Sequence, residues 1–280
     1  MMRAALLSTL IMVPGLAMAD RVLAIGGSVT EIVYELGEAD RLVGRDSTSS
    51  YPPEALALPD VGYIRALSPE GVLSVNPDLV VSEAGAGPVE AVDLLRAAQV
   101  PFVEVPEGYT EAAVRAKIMG VAEALGVPDK GVALADAVSA DLAAARGAVT
   151  GELTGEPKRV LFLLNAAGGR FTAAGSGTSA EAIIELAGGV NALDSFEGYK
   201  EVSDEAIAQA MPDVVLMMDR AGDHAISDED LFSHAAFVTT PAATSGRVVR
   251  MDGSLLLGFG PRVGEAVRDL SGHLNEAAGG

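Results

Sequence analysis

LSPEGVLSVNPDLVV, residues 67–81, and VSDEAIAQAMPDVVL, residues 202–216, align without a gap at an offset of 135 residues. Each reads apolar residue, serine, any residue, glutamate, then six residues, Pro-Asp and an apolar run. The spacing predicts two short helices with Ser68 and Ser203 as N-caps, because a serine oxygen there accepts an orphan backbone N–H. Glu70 and Glu205 then fall in the first turn. Pro-Asp ends each helix, and Leu79-Val80-Val81 or Val214-Val215-Leu216 opens a buried strand. One supersecondary unit repeated at this distance predicts two lobes of the same α/β design.

Outward from the repeat, RVLAIGGSVTEIVYELG (residues 21–37) reads as an apolar strand, glycines, a Ser/Thr cap position and a helix carrying Ile32, Val33 and Leu36. RVLFLLNAAGGRFTAAGSGTSAEAIIELAGG (159–189) repeats that grammar, so a second βα unit opens at Arg159. Between them, the stretch from Thr110 to about Val149 is helix-rich and breaks at Gly126-Val127-Pro128. After the break, DKGVALADAVSADLAAARGAV places Leu134, Val138 and Leu142 four apart, which predicts one helix of about 30 Å. Such a helix packs on one lobe or, given its position between repeats, connects the two stiffly. TGELTGEPK (150–158) reads as a polar exit linker and EGYKEV (197–202) as a loop. The expected architecture is two Rossmann-like α/β lobes, residues 20–128 and 159–280, joined by a single long helix with its linker, 129–158, and a ligand cleft between the lobes.

Composition narrows the function. The 280 residues are 49% hydrophobic, ample for real cores, and 39 Asp+Glu against 19 Lys+Arg leave a net charge of −20. Nucleic acid is thereby excluded as a natural partner. The absence of cysteine removes disulfides, thiol nucleophiles and Fe–S clusters, and no tryptophan offers a sugar-stacking platform. At the start, Arg3, the apolar ALLSTLIMVPGL and Ala17-Met18-Ala19 have the form of a secretory signal peptide, residues 1–19, cleaved after Ala19. Its apolar part is too short to span a membrane, and no later run is long enough. The expected product is exported and not itself membrane-spanning.

Motifs for chemistry are sparse. GSGTSA (175–180) has the outline of a dinucleotide loop, and it reads equally as a turn with an N-cap at Thr178 or Ser179. No GxSxG occurs, and His224, His234 and His273 all lie near the C-terminus as surface residues, so neither a hydrolase triad nor a zinc site shared between lobes assembles. The chain is not expected to be an enzyme. Glu70 and Glu205 either complement the helix dipole or form a pair of exposed anions, one per lobe, that dock on a partner of matching symmetry. In DVGYIRALSPE (60–70), Tyr63 sits in a loop before a capped helix. A loop tyrosine serves packing or hydrogen bonding; a phenolate is also an axial ligand for ferric haem, which Arg65 two residues on would favour.

RVLAIGGSVTEIVYELG, RLVGRDSTSSYP, LPDVGYIRALSPEGVLSVNPDLVV, FTAAGSGTSAEAIIELAGGVNAL and LLLGFGPR closely resemble the periplasmic haem-binding proteins of bacterial haem ABC importers, over essentially the whole mature chain. The resemblance implies two lobes joined by one long helix and haem b as the transported ligand. It implies Tyr63 on the iron with Arg65 beside it, and docking of Glu70 and Glu205 on the permease dimer of the inner membrane. Arg220, just beyond a strand, is the nearest candidate for a propionate contact. Some relatives place a histidine in the loop after the first strand of lobe two, where Asn165 to Phe171 here have none. Corrinoid and ferric siderophore binders share this class and are the alternatives within it. An exported nucleotide-binding enzyme using GSGTSA is the alternative outside it.

Overall fold

Short apolar runs bounded by glycine, proline or aspartate form two separate sheets in the computed structural model, which describes residues 19–152, 155–219 and 226–276. The signal-peptide reading, Ala19 apart, lies outside the described residues. In the first sheet β1 (Val22–Ile25), β2 (Leu42–Arg45), β3 (Leu79–Glu83) and β4 (Phe102–Val105) run parallel in the order β2-β1-β3-β4. Every residue of β1 is buried, as a parallel strand covered on both faces requires. Its alternate residues serve two cores. Val22 and Ala24 face α1 (Gly27–Glu35), while Leu23 and Ile25 pack with Val72 of α2 (Pro69–Ser74) and Leu95 of α3 (Val89–Ala97).

From this lobe α4 (Glu111–Ala124) leads through Gly126 into α5 (Pro128–Glu152), 25 residues and therefore about 37 Å long. Ala135, Val138, Leu142, Ala145 and Val149 form its buried stripe. The helix packs on both lobes, against α4 and against the helix Val263–Asn275 near the C-terminus, so one core continues from Ile32 through Leu142 to Phe162 and Leu270. It also runs through Thr150, Gly151 and Glu152, so the exit linker is shorter than its polar composition predicts.

The second sheet contains β5 (Arg159–Asn165), β6 (Phe171–Ala174), β7 (Val190–Asn191), β8 (Tyr199–Val202), β9 (Val214–Met218) and β10 (Val248–Met251). Its order is β10-β9-β5-β6-β8, with β7 paired to β5; β10, β9, β5 and β7 are parallel, whereas β6 runs antiparallel to both of its neighbours, β5 and β8. Around it lie α6 (Ser179–Leu186), α7 (Asp204–Ala210), α8 (Asp228–Ser233), α9 (Pro241–Ser245), α10 (Gly253–Leu257) and α11 (Val263–Asn275).

Two local expectations are corrected. The second unit is not a plain βα step, because the chain turns back after β5, with Gly168 and Gly169 at φ of 64° and 71°, to lay β6 antiparallel beside it. Residues 199–202, read as loop, are strand β8. The Tyr199 ring meets Phe162 edge-on at 6.2 Å and its hydroxyl lies 3.1 Å from Ser179 Oγ, while the exposed Lys200 and Glu201, on opposite faces, give the strand the charges of an edge. Among the described residues no helix is long and apolar enough to cross a membrane.

Candidate functional site: the cleft between the lobes

The C-terminal ends of β3 and β9 face a cleft of about 380 Å³, within the usual range for small-molecule sites. Gly27, Ser28, Tyr63, Arg65 and Glu83 line it from the first lobe, and Met218 with residues 252–254 and 257–258 from the second.

Tyr63 is presented on a backbone pinned from both sides. Gly62, at φ 106°, donates its N–H to Asp60 Oδ1 at 2.8 Å and accepts at its carbonyl from the Ser47 N–H at 2.9 Å. Tyr63 then heads a single 3₁₀ turn, Ile64–Ala66, whose Ile64 is buried and exchanges a backbone bond with Gly87. The ring itself is 47% exposed. Neither its hydroxyl nor the exposed Arg65 guanidinium has a hydrogen-bond or ion-pair partner among the described residues. The adjoining wall, residues 47–50, is organised by the fully buried Asp46, which accepts from the N–H groups of Gly26 and Thr48 and the hydroxyls of Thr48 and Ser49 at 2.7–3.1 Å.

The cleft floor is polar. Ser28 is not the cap of α1, which starts after Gly26; it sits buried in the first turn and donates both its N–H, at 2.9 Å, and its hydroxyl to Glu83 Oε1. Beneath them Lys117 Nζ donates to Ser28 Oγ at 3.0 Å and, across the lobe boundary, to the Gly258 carbonyl at 2.9 Å. Burial pulls the Lys117 pKa below its ordinary value, against the attraction of Glu83, Glu107 and Glu31. Three further side-chain hydrogen bonds between described residues cross the boundary. Arg262 holds Glu31 through both nitrogens at 2.6 and 3.1 Å while stacking 3.6 Å over the Tyr51 ring, and the Ser254 hydroxyl donates to the Thr48 carbonyl at 3.1 Å. Burial raises the Glu31 carboxyl above the usual range, with Arg262 opposing.

Of the residues singled out by sequence, the structure brings Tyr63 and Arg65 together in the cleft. Glu70 and Glu205 are exposed in the first turns of α2 and α7, behind the expected caps, where Ser68 accepts from Gly71 N–H at 2.9 Å and Ser203 from Ala206 N–H at 3.2 Å. Neither lines the cleft. Glu205 accepts from Gln209 at 2.9 Å, whereas the Glu70 carboxylate has no partner among the described residues. Arg220 and His224 lie outside the described residues. His234 is more enclosed than a surface residue, its ring edge-on to Phe171 at 4.9 Å, and His273 is half-buried, 3.7 Å from Glu276. Among the described residues no group of three His, Cys, Asp or Glu side chains is placed to hold a bare metal ion.

The GSGTSA loop is a cap. Thr178 Oγ1 accepts from Glu181 N–H at 3.1 Å, Glu181 Oε2 accepts from Gly177 N–H at 2.7 Å, and the N–H groups of Gly175 and Ser176 bond to the Gly198 and Phe196 carbonyls at 2.8 Å. These donors are used, so the loop does not offer them as a cradle for phosphate. Sequence reading missed Asp46, the Glu31–Arg262 pair and Lys117; for the last, a lysine between Val114 and Ile118 on an otherwise apolar helix stripe was the available signal.

Residues 22–255 match the periplasmic binding protein family, and the chain belongs to it. Among solved structures it is similar to the periplasmic haem-binding protein BhuT in complex with two haems, with 43% identity, a TM-score of 0.87, and 92% of this chain and 99% of that one covered. It is likewise similar to apo RhuT, a periplasmic haem-binding protein from Roseiflexus sp. RS-1, at 38% identity and a TM-score of 0.88 over 93% and 100% of the two chains. A vitamin B12-binding protein of Yersinia pestis (strain Pestoides F) is 28% identical over 216 residues, covering 76% of this chain and 74% of the relative.

Proposed function

We propose that this protein captures ferric haem in the interlobe cleft, outside the cytoplasm, and delivers it to the permease dimer of an inner-membrane ABC importer. The observation that carries the reading is the phenol of Tyr63 and the guanidinium of Arg65, both unpartnered among the described residues, two residues apart on a pinned backbone at the cleft. Tyr63 is the axial ligand to the iron. A free phenol titrates near pH 10, so the trivalent iron must displace the proton, a hard cation taking an anionic oxygen. Arg65 is exposed and therefore screened, which leaves it a supporting part. Arg220 is assigned a haem propionate, and Glu70 and Glu205, one per lobe, the permease. Export through cleavage after Ala19 completes the reading.

Absorption spectra recorded during hemin titration test it. Wild-type protein is expected to show a phenolate-to-iron charge-transfer band, and Tyr63→Phe to lose that band and bind hemin more weakly while melting normally as the apo protein. The vitamin B12-binding relative favours a corrinoid as the second reading. Saturable cyanocobalamin binding, with a hemin spectrum unchanged in Tyr63→Phe, would establish it instead.

A further inference from the structure

We infer that Lys117 is a positioning residue for ligand capture, its ammonium tying the first lobe's cleft floor to the second lobe's lip and so fixing the width of the cleft. The inference rests on the reading of the cleft as the ligand site. Lys117 projects from the buried stripe of α4, where Val114, Ile118 and Val121 are its neighbours, and it is 4% exposed. An apolar side chain would fill that stripe without desolvating a charge. The ammonium instead meets acceptors from both lobes: Ser28 Oγ at 3.0 Å, itself bonded to Glu83, and the Gly258 carbonyl at 2.9 Å. Gly258 caps the C-terminal end of α10, where unpaired carbonyls concentrate negative charge. Ser28, Glu83 and Gly258 all line the cleft, so the two acceptors of this one ammonium are parts of its opposite walls.

Lys117 differs in this from Arg262, whose partner Glu31 does not line the cleft. With the Arg262 and Ser254 bonds retained, loss of the lysine should loosen the cleft without separating the lobes. The bond joins a charged donor to a neutral acceptor and crosses the lobe boundary. Its removal should shift the closed-to-open ratio, and hence the hemin dissociation rate, by about tenfold.

The chain has no cysteine, so spin labels can be placed without background at Glu90→Cys and Glu229→Cys, exposed positions on α3 and α8. Distances between them, measured by pulsed electron resonance on the apo protein, are expected to broaden toward longer values in Lys117→Met, with Lys117→Gln intermediate and hemin release about tenfold faster in the methionine variant. A wild-type distance distribution in Lys117→Met, or in Lys117→Gln should the methionine variant not fold, overturns the inference. The apo distances decide this independently of haem, whereas a wild-type protein that fails to bind hemin defeats the haem reading alone.

Discussion

Replacing Arg262 by methionine would show how much of the lobe interface depends on one buried ion pair. Glu31 accepts from two nitrogens of the guanidinium, and the two side chains are 5% and 16% exposed respectively. Methionine keeps most of the volume and leaves the Glu31 carboxylate buried without a counter-ion. Breaking a buried pair this way costs about 3–5 kcal/mol. The lower end applies because Arg262 retains contact with solvent, and loss of its stacking on Tyr51 adds about 0.5–1 kcal/mol. In urea unfolding at pH 7 the variant should therefore be about 3–4 kcal/mol less stable than wild type. That deficit should depend on pH. Burial already raises the Glu31 carboxyl with Arg262 present, and without the arginine it rises further. A carboxyl whose folded pKa lies above its unfolded value near 4.3 loses stability as pH climbs from the lower value through the higher. Measured again in more acidic solution, below the raised folded value, Glu31 takes up its proton and carries no buried charge, and the deficit should shrink toward the stacking contribution of about 1 kcal/mol. Adding Glu31→Gln to Arg262→Met should recover part of the loss at pH 7. An equal deficit at both pH values, or a double variant less stable than Arg262→Met, would refute the reasoning.

The cross-lobe bonds and the packed α5 predict nearly equal radii of gyration by small-angle scattering for apo and hemin-loaded protein; a large contraction on loading would contradict them. Glu70→Ala with Glu205→Ala should depress haem uptake in a reconstituted importer and leave hemin affinity unchanged, the double variant being the fair test because single exposed pairs contribute little. Gly264→Ala would drive a Cβ into Asp141 Oδ2, where Arg268 now grips Asp141 from α11 at 2.9 and 3.2 Å. It should lower stability by about 1–3 kcal/mol, read as a lower Tm, without altering hemin affinity.

What the sequence made legible was local. Ser68 and Ser203 announce their helices because a cap and the N–H it accepts are three residues apart, and Tyr63 stands out because the turn that presents it is contiguous with Gly62 and Ile64. What it hid was built from distant partners. Lys117 finds Ser28 and Gly258 at separations of 89 and 141 residues, and Arg262 finds Glu31 at 231. Strand β8 was hidden differently. Tyr199-Lys200-Glu201-Val202 is an edge strand with charged residues facing water, so its pattern is that of a loop until β6 is placed beside it. The start of α1 misleads for a third reason: Ser28 has the right chemistry for a cap, but the Glu83 carboxylate takes both its donors, and Gly26 turns the chain at φ 104°.

A net charge of −20 sets a condition on any anionic ligand, and the cleft meets it by using up its own acids. Among the described residues the charged groups lining it are Arg65, Glu83 and Asp252. Glu83 is engaged by the first turn of α1 and, through the Ser28 hydroxyl, by the Lys117 ammonium. Asp252 accepts the Leu255 N–H at 2.8 Å as the cap of α10. Each carboxylate thus complements the positive end of a helix, while Arg65 has no partner among the described residues. At physiological ionic strength the surface acids are screened beyond about 8 Å, so the long-range field opposes encounter more than it opposes residence. Over the few ångströms that decide binding, an incoming carboxylate meets acids already engaged as hydrogen-bond acceptors and a guanidinium with no partner among the described residues. The acidity of the chain and the proposed capture of an anion at its cleft are therefore compatible, because they act at different distances.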